Sequence, residues 1–409
     1  MSRLEELIEK LCPDGVEYKT LIELGDFYGG LTGKSKDDFT DGNAKFITYM
    51  NVFNNPSLNA DVTDTVKVGA TEKQNTIQYG DVVFTGSSET PDECGMSSVL
   101  TTKTSEKLYL NSFCFGYRLH KLDDFNPDFL KHLLRSSELR KQIKRTASGV
   151  TRFNVSKKKM ETVKIPVPPL EVQSEIVRIL DNFTELTAEL TAELTARKKQ
   201  YEYYKRDVFS SVKSDTVELG SIANFSQGIQ VDVDKQYETP FENSIRFLRI
   251  VDFVSNNEPI RYIEKPDDRY IKSEKELIMI RYGASAAGKV FMKYSGAIAN
   301  NMFKININTN DVDVKYVKHY LSQREIYEQL NSTGGKSTMP AVNFSMVSKI
   351  KIPLPSLEEQ QRIVDILDRF DKLCNDISEG LPAEIEARQK QYEYYRDKLL
   401  SFKSLSLNS

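Results

Sequence analysis

The chain has 409 residues, of which 39% are hydrophobic and 28% charged, and its formal net charge is −3. This composition is typical of a globular protein of two or three domains, and the small net charge confines any nucleic-acid site to a local patch. Because the sequence shows no long apolar run, no signal peptide and no C-x-x-C pair among its four cysteines, we expect a cytoplasmic protein with no membrane segment and no zinc ribbon.

The first 160 residues have the pattern of a mixed α/β domain. Residues 1–16 predict a short helix. Short runs separated by Gly, Asn and Asp then predict strands, and these runs are residues 45–50, 65–68, 81–85 and 113–119. Asn126 followed by Pro127 predicts the start of a helix that continues to about Arg145, since asparagine caps helices and proline is tolerated at their first position.

A strongly basic stretch ends this domain. Between Lys131 and Lys159 ten residues are Lys or Arg, and only Glu138 is acidic. The corresponding stretch of the second half, residues 315–351, is milder. A charged run is often only the solvated face of a helix, so the patch alone does not establish nucleic-acid binding.

A long helical segment comes next, and most of it occurs twice. Residues 165–183 (IPVPPLEVQSEIVRILDNF) align without gaps on residues 352–370 (IPLPSLEEQQRIVDILDRF), and ARKKQYEYY at 196–204 recurs as ARQKQYEYY at 387–395. Each copy begins with prolines, which cannot continue a helix. Apolar residues then recur at three- and four-residue intervals. We therefore predict two long amphipathic helices that pack together, the second kinked or restarted at 380–382.

The second half has the same order of predicted elements as the first but a largely different sequence. VELG at 217–220 matches IELG at 22–25, and KHLL at 131–134 recurs as KHYL at 318–321. Between these anchors the two globular parts share little identity. We infer that the helices perform the same task twice, whereas the globular parts perform two different tasks.

Inside the first helix lies a smaller repeat, TAEL at 187–190 and again at 191–194. Such a repeat can arise by duplication of four residues in a helix whose leucine stripe tolerates it, without any function. It can also set the distance between the segments on either side of it. One tetrad lengthens a helix by about 6 Å and rotates the next helical segment by about 40°. One base pair of B-DNA advances about 3.4 Å and rotates about 35°. The rotation matches one base pair, and the translation is nearer two.

The sequence carries no signature of catalysis. The GKS triplets at 33–35 and 335–337 lack the glycine that begins a P-loop, and no nucleophile elbow, paired carboxylates or metal-ligand spacing occurs. His132 and His319 occupy equivalent places and are predicted to be structural. A stand-alone enzyme and a coiled-coil interaction scaffold without a DNA role are the rival classes.

The duplicated helices, the paired ARxKQYEYY segments and the TAEL tetrads resemble the DNA-specificity subunit of type I restriction-modification enzymes, in particular the IC class. The resemblance extends over the whole chain and is specific in the helical regions. It implies a subunit with no catalytic activity and no cofactor of its own. Such a subunit binds double-stranded DNA, two methyltransferase subunits and motor-nuclease subunits, and those partners would bind S-adenosylmethionine, ATP and Mg.

The predicted fold class is α+β, with a pseudo-twofold internal repeat. Two mixed α/β target-recognition domains are separated by two long antiparallel helices that resemble a coiled coil. The predicted divisions are recognition domain 1 at 1–160, helical spacer 1 at 161–213, recognition domain 2 at 214–350 and helical spacer 2 at 351–409. By the resemblance, each recognition domain reads one half of a split target that carries adenine methylation, and the helices fix the gap.

Candidate site residues can be chosen from these assignments. Base contacts are expected from loops and phosphate contacts from the basic stretches. The DNA-binding candidates in the first domain are Thr85, Ser87, Ser88, Lys141, Lys144, Arg145, Arg152, Lys157 and Lys158. Those in the second domain are Arg249, Arg281, Ser285, Lys289, Lys336 and Thr338. The methyltransferase contact is assigned by the resemblance to the helical regions, including Tyr203 and Tyr394.

Overall fold

The computed structural model describes residues 2–255, 257–283, 286–332, 341–376 and 378–405. The chain forms two compact units. Unit 1 comprises residues 1–189 and 385–409, and unit 2 comprises residues 190–384. Each unit therefore combines a globular part with pieces of both helical regions, and the predicted four-part division of the chain remains a prediction. Within the described ranges, none of the helices combines the length and the apolar character needed to cross a bilayer.

The α-helices are short in the globular parts and long in the helical regions. They are α1 (Arg3–Leu11), α2 (Leu21–Leu24), α3 (Tyr49–Asn54), α4 (Pro127–Leu133), α5 (Ser137–Thr146), α6 (Lys157–Met160), α7 (Leu170–Ser211), α8 (Leu219–Ile222), α9 (Ile250–Val254), α10 (Val314–Leu321), α11 (Arg324–Ser332), α12 (Phe344–Ser348), α13 (Leu357–Asn375) and α14 (Leu381–Leu399). Short 3-10 helices occur at Lys36–Phe39, Leu122–Asp124, Val233–Lys235 and Asp268–Tyr270.

The strands of unit 1 form three sheets and one two-stranded pair. They are β1 (Glu17–Thr20), β2 (Gly25–Gly29), β3 (Ala44–Ile47), β4 (Thr65–Val66), β5 (Thr76–Ile77), β6 (Val82–Thr85), β7 (Ser87–Ser88), β8 (Ser97–Val99), β9 (Leu108–Leu110), β10 (Cys114–Leu119), β11 (Ala147–Ser148), β12 (Phe153–Val155) and β13 (Lys164–Val167). The sheet orders are β2-β10-β6-β8, β4-β3-β9-β5 and β11-β12-β7, and β1 pairs with β13.

Unit 2 repeats the two large sheets of unit 1. Its strands are β14 (Thr216–Glu218), β15 (Ala223–Gln227), β16 (Ser244–Leu248), β17 (Arg261–Glu264), β18 (Ile271–Lys272), β19 (Leu277–Ile280), β20 (Val290–Phe291), β21 (Gly296–Ile298), β22 (Met302–Ile307) and β23 (Lys351–Pro353). The orders β15-β22-β19-β20 and β17-β16-β21-β18 reproduce β2-β10-β6-β8 and β4-β3-β9-β5, and β14 pairs with β23 as β1 pairs with β13. In both units one pair is parallel, β3 with β9 and β16 with β21. This arrangement confirms the predicted α+β class with an internal repeat.

The structure confirms the long helix of the first repeat and the restart in the second. Helix α7 runs unbroken from Leu170 to Ser211, through both TAEL tetrads. The second helical region is divided into α13 and α14, as the glycine and proline at 380–382 predicted. Gly380 is required there because a Cβ would lie 2.5 Å from the carbonyl oxygen of Lys372.

Two predicted elements are corrected. The helix expected from Asn126 to Arg145 is two helices, because Ser136 adopts an extended backbone and starts α5 afresh. The strand expected over residues 45–50 ends at Ile47. The Thr48 hydroxyl then accepts a hydrogen bond from the backbone N–H of Asn51 and starts α3.

Buried polar side chains fix the helical pieces of unit 1. Gln173, near the start of α7, accepts a hydrogen bond from the backbone N–H of Asn126 at 2.8 Å and donates to two backbone carbonyls. His132, on α4, has its Nε2 2.8 Å from a carboxylate oxygen of Asp181 in α7 and its Nδ1 2.8 Å from the hydroxyl of Tyr392 in α14. We call this arrangement the Tyr–His–Asp joint. It ties a helix of the globular part to pieces of both helical regions.

Unit 2 contains the equivalent contacts. Gln360 accepts from the backbone N–H of Asp313 at 2.9 Å and also donates to two carbonyls. His319 has its Nε2 2.7 Å from Asp368 and its Nδ1 3.4 Å from the hydroxyl of Tyr201. In each unit the His and Asp belong to one repeat, and the Tyr belongs to the ARxKQYEYY segment of the other.

The protonation states of the joints depend on their burial. Burial lowers the pKa of His132 and of His319 below the ordinary value, although their carboxylate partners favour the charged imidazole. Hydrogen bonds from His319 and Lys315 hold the pKa of Asp368 far below its usual range, against the effect of burial. A neutral imidazole beside an ionised carboxylate is therefore the state of the joint at neutral pH. Both histidines are structural, as predicted.

Candidate nucleic-acid interface

A groove on unit 1 brings together several of the predicted residues. It encloses about 930 Å³, and its floor is the short strand β7. Helix α3, the loop 89–95 and the turn between β11 and β12 form its rim. Phe113 and Met50 are 58% and 54% exposed at its edge. The Tyr49 hydroxyl donates to the backbone carbonyl of Ser87 at 2.9 Å and so holds α3 against the floor.

Arg152 supplies the positive charge of this groove. Its Nε and Nη2 donate to the Ser87 hydroxyl at 3.1 and 2.9 Å, and its guanidinium carbon lies 5.8 Å from the centre of the Phe113 ring. In the described part of the chain no carboxylate lies within 4 Å of this guanidinium. Because a guanidinium has five N–H donors, these contacts orient the group and leave donors for a ligand.

Glu93 supplies an oriented negative charge in the same groove. Its carboxylate accepts from the hydroxyl of Thr90 at 2.8 Å and from that of Ser88 at 3.3 Å. Glu89, on the same loop, also lines the groove. Neither glutamate has an ion-pair partner within 4 Å among the described residues. The sequence did not single out these glutamates, since an isolated acid in a loop has no distinctive pattern.

Two half-buried arginines from the basic stretch hold the rim in place. Arg140 donates to three backbone carbonyls of the loop 92–95 at 2.6 to 3.0 Å. Arg135 donates to carbonyls at the end of α3 and at the start of β8 at 2.8 to 3.0 Å. Burial lowers the pKa of Arg135 to about 10, which leaves it charged at neutral pH. These two cations therefore shape the groove, a role that a run of basic residues does not reveal.

The remaining candidates of the basic stretch lie on α5 and α6. Lys141, Arg145, Lys157 and Lys158 are exposed, and none of them has a carboxylate within 4 Å in the described ranges. Lys144 instead forms an ion pair with Asp92 in the loop that lines the groove. The four unpaired bases offer an uncompensated positive surface beside the groove.

The structure corrects the prediction for Thr85. Its side chain is fully buried at the end of β6, and its hydroxyl accepts a hydrogen bond from the backbone N–H of Met96 at 2.9 Å. A residue that reads DNA must be accessible, so Thr85 supports the sheet instead. Ser87 and Ser88, two and three positions further on, are also buried, but they form the groove floor and their hydroxyls contact Arg152 and Glu93.

In unit 2 the structure also corrects the prediction for Arg249. Its Nη1 donates to the carboxylate of Glu258 at 2.7 Å, and its Nη2 donates to the carbonyl of Pro259 at 2.9 Å. The side chain is 16% exposed. Arg249 therefore secures the segment after α9 and offers little to a ligand.

Of the other unit 2 candidates, Arg281 lies at the place that corresponds to the groove of unit 1. Arg281 comes directly after β19 as Gly86 comes directly after β6, and its guanidinium lies 5.0 Å from the ring centre of Tyr282. An antiparallel bridge between Tyr282 and Ala341 takes the place of the pairing of β7 with β12. Lys289 is exposed immediately before β20. The remaining candidates lie outside the described residues: Ser285, Lys336 and Thr338.

Tyr203 and Tyr394 are equivalent and exposed, at 57% and 62%. Each lies beside a cation of its own helix, with Arg206 5.7 Å from the Tyr203 ring centre and Lys398 6.0 Å from that of Tyr394. Tyr201, two positions before Tyr203, is buried against His319 and Phe370 instead. A role in partner binding stays a prediction for both exposed tyrosines.

The groove has the chemistry of a recognition site. It combines a guanidinium, carboxylates, hydroxyls and aromatic edges, which together can hydrogen-bond a ligand that presents both donors and acceptors. Within the described ranges, no three His, Cys, Asp or Glu side chains are placed to share a metal ion.

The sequence matches the family described as type I restriction modification DNA specificity domain over residues 13–197 and again over residues 211–387. These two segments cover most of the chain and coincide with its internal repeat. The chain therefore belongs to the family of type I restriction-modification DNA-specificity proteins.

Individual relatives carry the same description. The chain is 41% identical over 267 residues to the type I restriction enzyme EcoR124I/EcoR124II specificity subunit of Escherichia coli, a match that covers 58% of this chain and 63% of that protein. The chain thus spans less than two thirds of the length of that relative. It is 34% identical over 279 residues to a putative type I restriction enzyme specificity subunit of Haemophilus influenzae, which covers 62% of this chain and 68% of that protein.

Solved structures share the fold at low sequence identity. The S subunit of a type I restriction-modification system from M. genitalium superposes with a TM-score of 0.51 at 15% identity, and the match covers 94% of this chain and 96% of that one. A chain from a structure on the complex assembly and conformational transition of the type I R-M system gives a TM-score of 0.64 at 16% identity, covering 96% and 98%. At these identities the likeness establishes the fold.

Proposed function

We propose that this chain is the DNA-specificity subunit of a cytoplasmic type I restriction-modification complex and that it has no catalytic activity of its own. Unit 1 reads one half of a bipartite DNA target, and unit 2 reads the other half. The observation that carries this proposal is the duplicated family fold, whose two copies share sheet order and buried joints but have different side chains at the position of the unit 1 groove. The alternative, a coiled-coil scaffold protein without a DNA role, is not supported, because the chain belongs to a DNA-specificity family.

The exposed bases of unit 1 supply the phosphate contacts in this proposal. Lys141, Arg145, Lys157 and Lys158 are unpaired among the described residues, so their charge is available to a polyanion. Phosphate contacts release counterions, and affinity should therefore fall steeply as salt is raised. In unit 2, Arg281 and Lys289 are the described candidates.

Two methyltransferase subunits bind the helical regions in the proposed complex, and motor-nuclease subunits complete it. The tyrosines at 203 and 394 suit two copies of one partner, because they are equivalent in the repeat, both are exposed and each lies near a cation of its own helix. S-adenosylmethionine, ATP and Mg would be bound by those partner subunits.

Helix α7 sets the gap between the two half-sites in this proposal. The helix is continuous from Leu170 to Ser211, and the boundary between the units falls at Glu189, inside the first TAEL tetrad. An added or deleted tetrad therefore changes the length of a rigid element by about 6 Å and its rotation by about 40°. The expected change in the gap is about one base pair, with two as the alternative.

The proposal is tested by co-expressing this chain with the methyltransferase subunit of its system and mapping methylated adenines across a genome by single-molecule sequencing. One bipartite motif with a fixed gap is the expected result. The methyltransferase subunit expressed alone is the control and should yield no motif. A complex that forms but produces no bipartite motif would contradict the proposed DNA recognition, and failure to form a complex would contradict the partner assignment.

A further inference from the structure

We infer that the groove of unit 1 reads a G·C base pair from the major groove, with Arg152 contacting the guanine and Glu93 the cytosine. The inference rests on the proposed function and goes beyond it, since it assigns a base pair and two reading residues to one groove. Both side chains are exposed on the groove, and each is held by a hydroxyl of β7, Ser87 for the arginine and Ser88 for the glutamate.

The distribution of charge separates this groove from a phosphate site. Glu89 and Glu93 line it without an ion-pair partner among the described residues, and such carboxylates repel a phosphate. The exposed candidates of the basic stretch that have no carboxylate within 4 Å among the described residues, Lys141, Arg145, Lys157 and Lys158, lie on α5 and α6 instead. In protein–DNA interfaces phosphate contacts position the protein and base contacts specify the sequence. Unit 1 therefore assigns the two tasks to different surfaces.

The pairing of a guanidinium with a carboxylate selects among base pairs. In the major groove a guanine presents two acceptors, N7 and O6, and its cytosine presents the N4 amino donor. A guanidinium can donate to both guanine acceptors, and a carboxylate can accept from the amino group. An A·T pair places its donor between two acceptors, so it offers no two adjacent acceptors to the arginine. The groove is thus complementary to a G·C pair.

The reading groups are held before any ligand binds. The ring of Phe113 and the Ser87 hydroxyl orient Arg152, and the Thr90 hydroxyl orients Glu93. The loop that carries Glu93 is fixed by the three hydrogen bonds from Arg140 to its carbonyls. Side chains that are already ordered lose less conformational entropy on binding, which favours discrimination between bases.

The test uses the complex of the full chain with its methyltransferase subunit and duplexes in which each base pair of the target is substituted in turn. For Arg152→Ala we expect the preference for guanine to fall by about tenfold to a hundredfold at one position of one half-site, with the other positions unchanged. Arg152→Lys keeps the charge but loses the planar fork, and should fall between Arg152→Ala and the wild type. Because Arg152 is exposed, these variants should assemble normally, and thermal unfolding of the complex checks that they do.

Two further variants sharpen the result. Glu93→Gln should lower the specificity at the same base pair and increase binding to sites with adenine there, since an amide can hydrogen-bond the N6 and N7 atoms of adenine. Lys158→Ala, the matched control from the basic surface, should weaken binding to all sequences equally and reduce the salt dependence by about one ion.

The outcomes separate this inference from the proposed function. A wild-type complex without any bipartite motif would overturn both. A bipartite motif with no G·C pair in the half-site that Arg152→Ala affects would overturn the inference alone. The same holds if Arg152→Ala weakens all sequences uniformly, as Lys158→Ala does, or if the Arg152 and Glu93 variants alter different base pairs.

Discussion

Units 1 and 2 differ at the place of the unit 1 groove and agree in the buried contacts that join their helices. Both have the same two sheet orders, the same buried glutamine and the same Tyr–His–Asp joint. At the groove, unit 1 has Ser87 and Ser88 on β7, whereas Tyr282 takes the equivalent place in unit 2. The two copies of the fold therefore share these internal contacts and differ at the surface proposed to read DNA.

The physical reason lies in the cost of leaving buried polar groups without partners. Gln173 and His132 make hydrogen bonds to several segments at once. Changing either residue would therefore leave a buried donor or acceptor without a partner in each of those segments. Arg152 and Glu93 face solvent, where water satisfies any replacement. Substitution is thus constrained in the joints and permitted in the groove.

Replacing either of the two equivalent buried glutamines should have the largest effect on stability. Gln173→Ala and Gln360→Ala should each lower the free energy of unfolding by about 2 to 3 kcal/mol, because each removes three hydrogen bonds in a buried site. Urea denaturation of the full chain measures this. Gln361→Ala, at the exposed neighbouring position, is the control and should change stability by less than about 0.5 kcal/mol. A large cost for one glutamine and none for the other would break the equivalence of the units.

The joints also differ slightly, and this difference predicts a smaller effect. The hydroxyl of Tyr392 lies 2.8 Å from His132, whereas that of Tyr201 lies 3.4 Å from His319. Tyr392→Phe should therefore cost about 1 kcal/mol, the value of one hydrogen bond, and Tyr201→Phe less. Thermal unfolding resolves the two, with Tyr394→Phe as the exposed control. A larger loss of stability for Tyr201→Phe than for Tyr392→Phe would show that the strengths of these two hydrogen bonds do not follow their distances.

The histidines predict a pH dependence shared by both units. Because burial lowers the pKa of His132 and His319, the folded chain keeps them neutral at pH values where the unfolded chain takes up protons. Stability should therefore decline as pH falls below about 6.5, the ordinary value for histidine. Urea unfolding between pH 7 and pH 5 measures the slope. The double variant His132→Gln with His319→Gln should flatten it, and an unchanged slope would assign the effect to other groups.

The sequence predicted those elements whose cause is local. The proline start, the apolar stripe of α7, the cap at Asn126 and the restart near Gly380 each depend on residues a few positions apart. The break between α4 and α5 was missed because it lies within a continuous run of helix-compatible residues. Arg135 beside it is held by carbonyls more than 35 positions away in the chain.

The groove was only partly predictable for the same reason. Ser87, Ser88 and Arg152 were selected as a polar loop and a basic residue, and the structure brings them together. The hydrogen bonds from Arg140 bring the loop of Glu93 to them, and the pairing of β10 with β6 brings Phe113, whose carbonyl accepts from the backbone N–H of Gly86. No local pattern marks either residue. Thr85 is fully buried at the end of β6, and the sequence could not distinguish it from Ser87 and Ser88, which line the groove.

In the proposed function, the helices set the spacing of the target while the two units read it. The most direct test is to delete residues 187–190, co-express the chain with its methyltransferase subunit and determine the methylation motif. Removing one tetrad shortens α7 by about 6 Å and leaves the groove of unit 1 and the corresponding residues of unit 2 unchanged. The motif should keep the bases of both half-sites, and its gap should shorten by about one base pair. A gap that does not change, or a change in the bases of either half-site, would contradict the division between spacing by the helix and reading by the units.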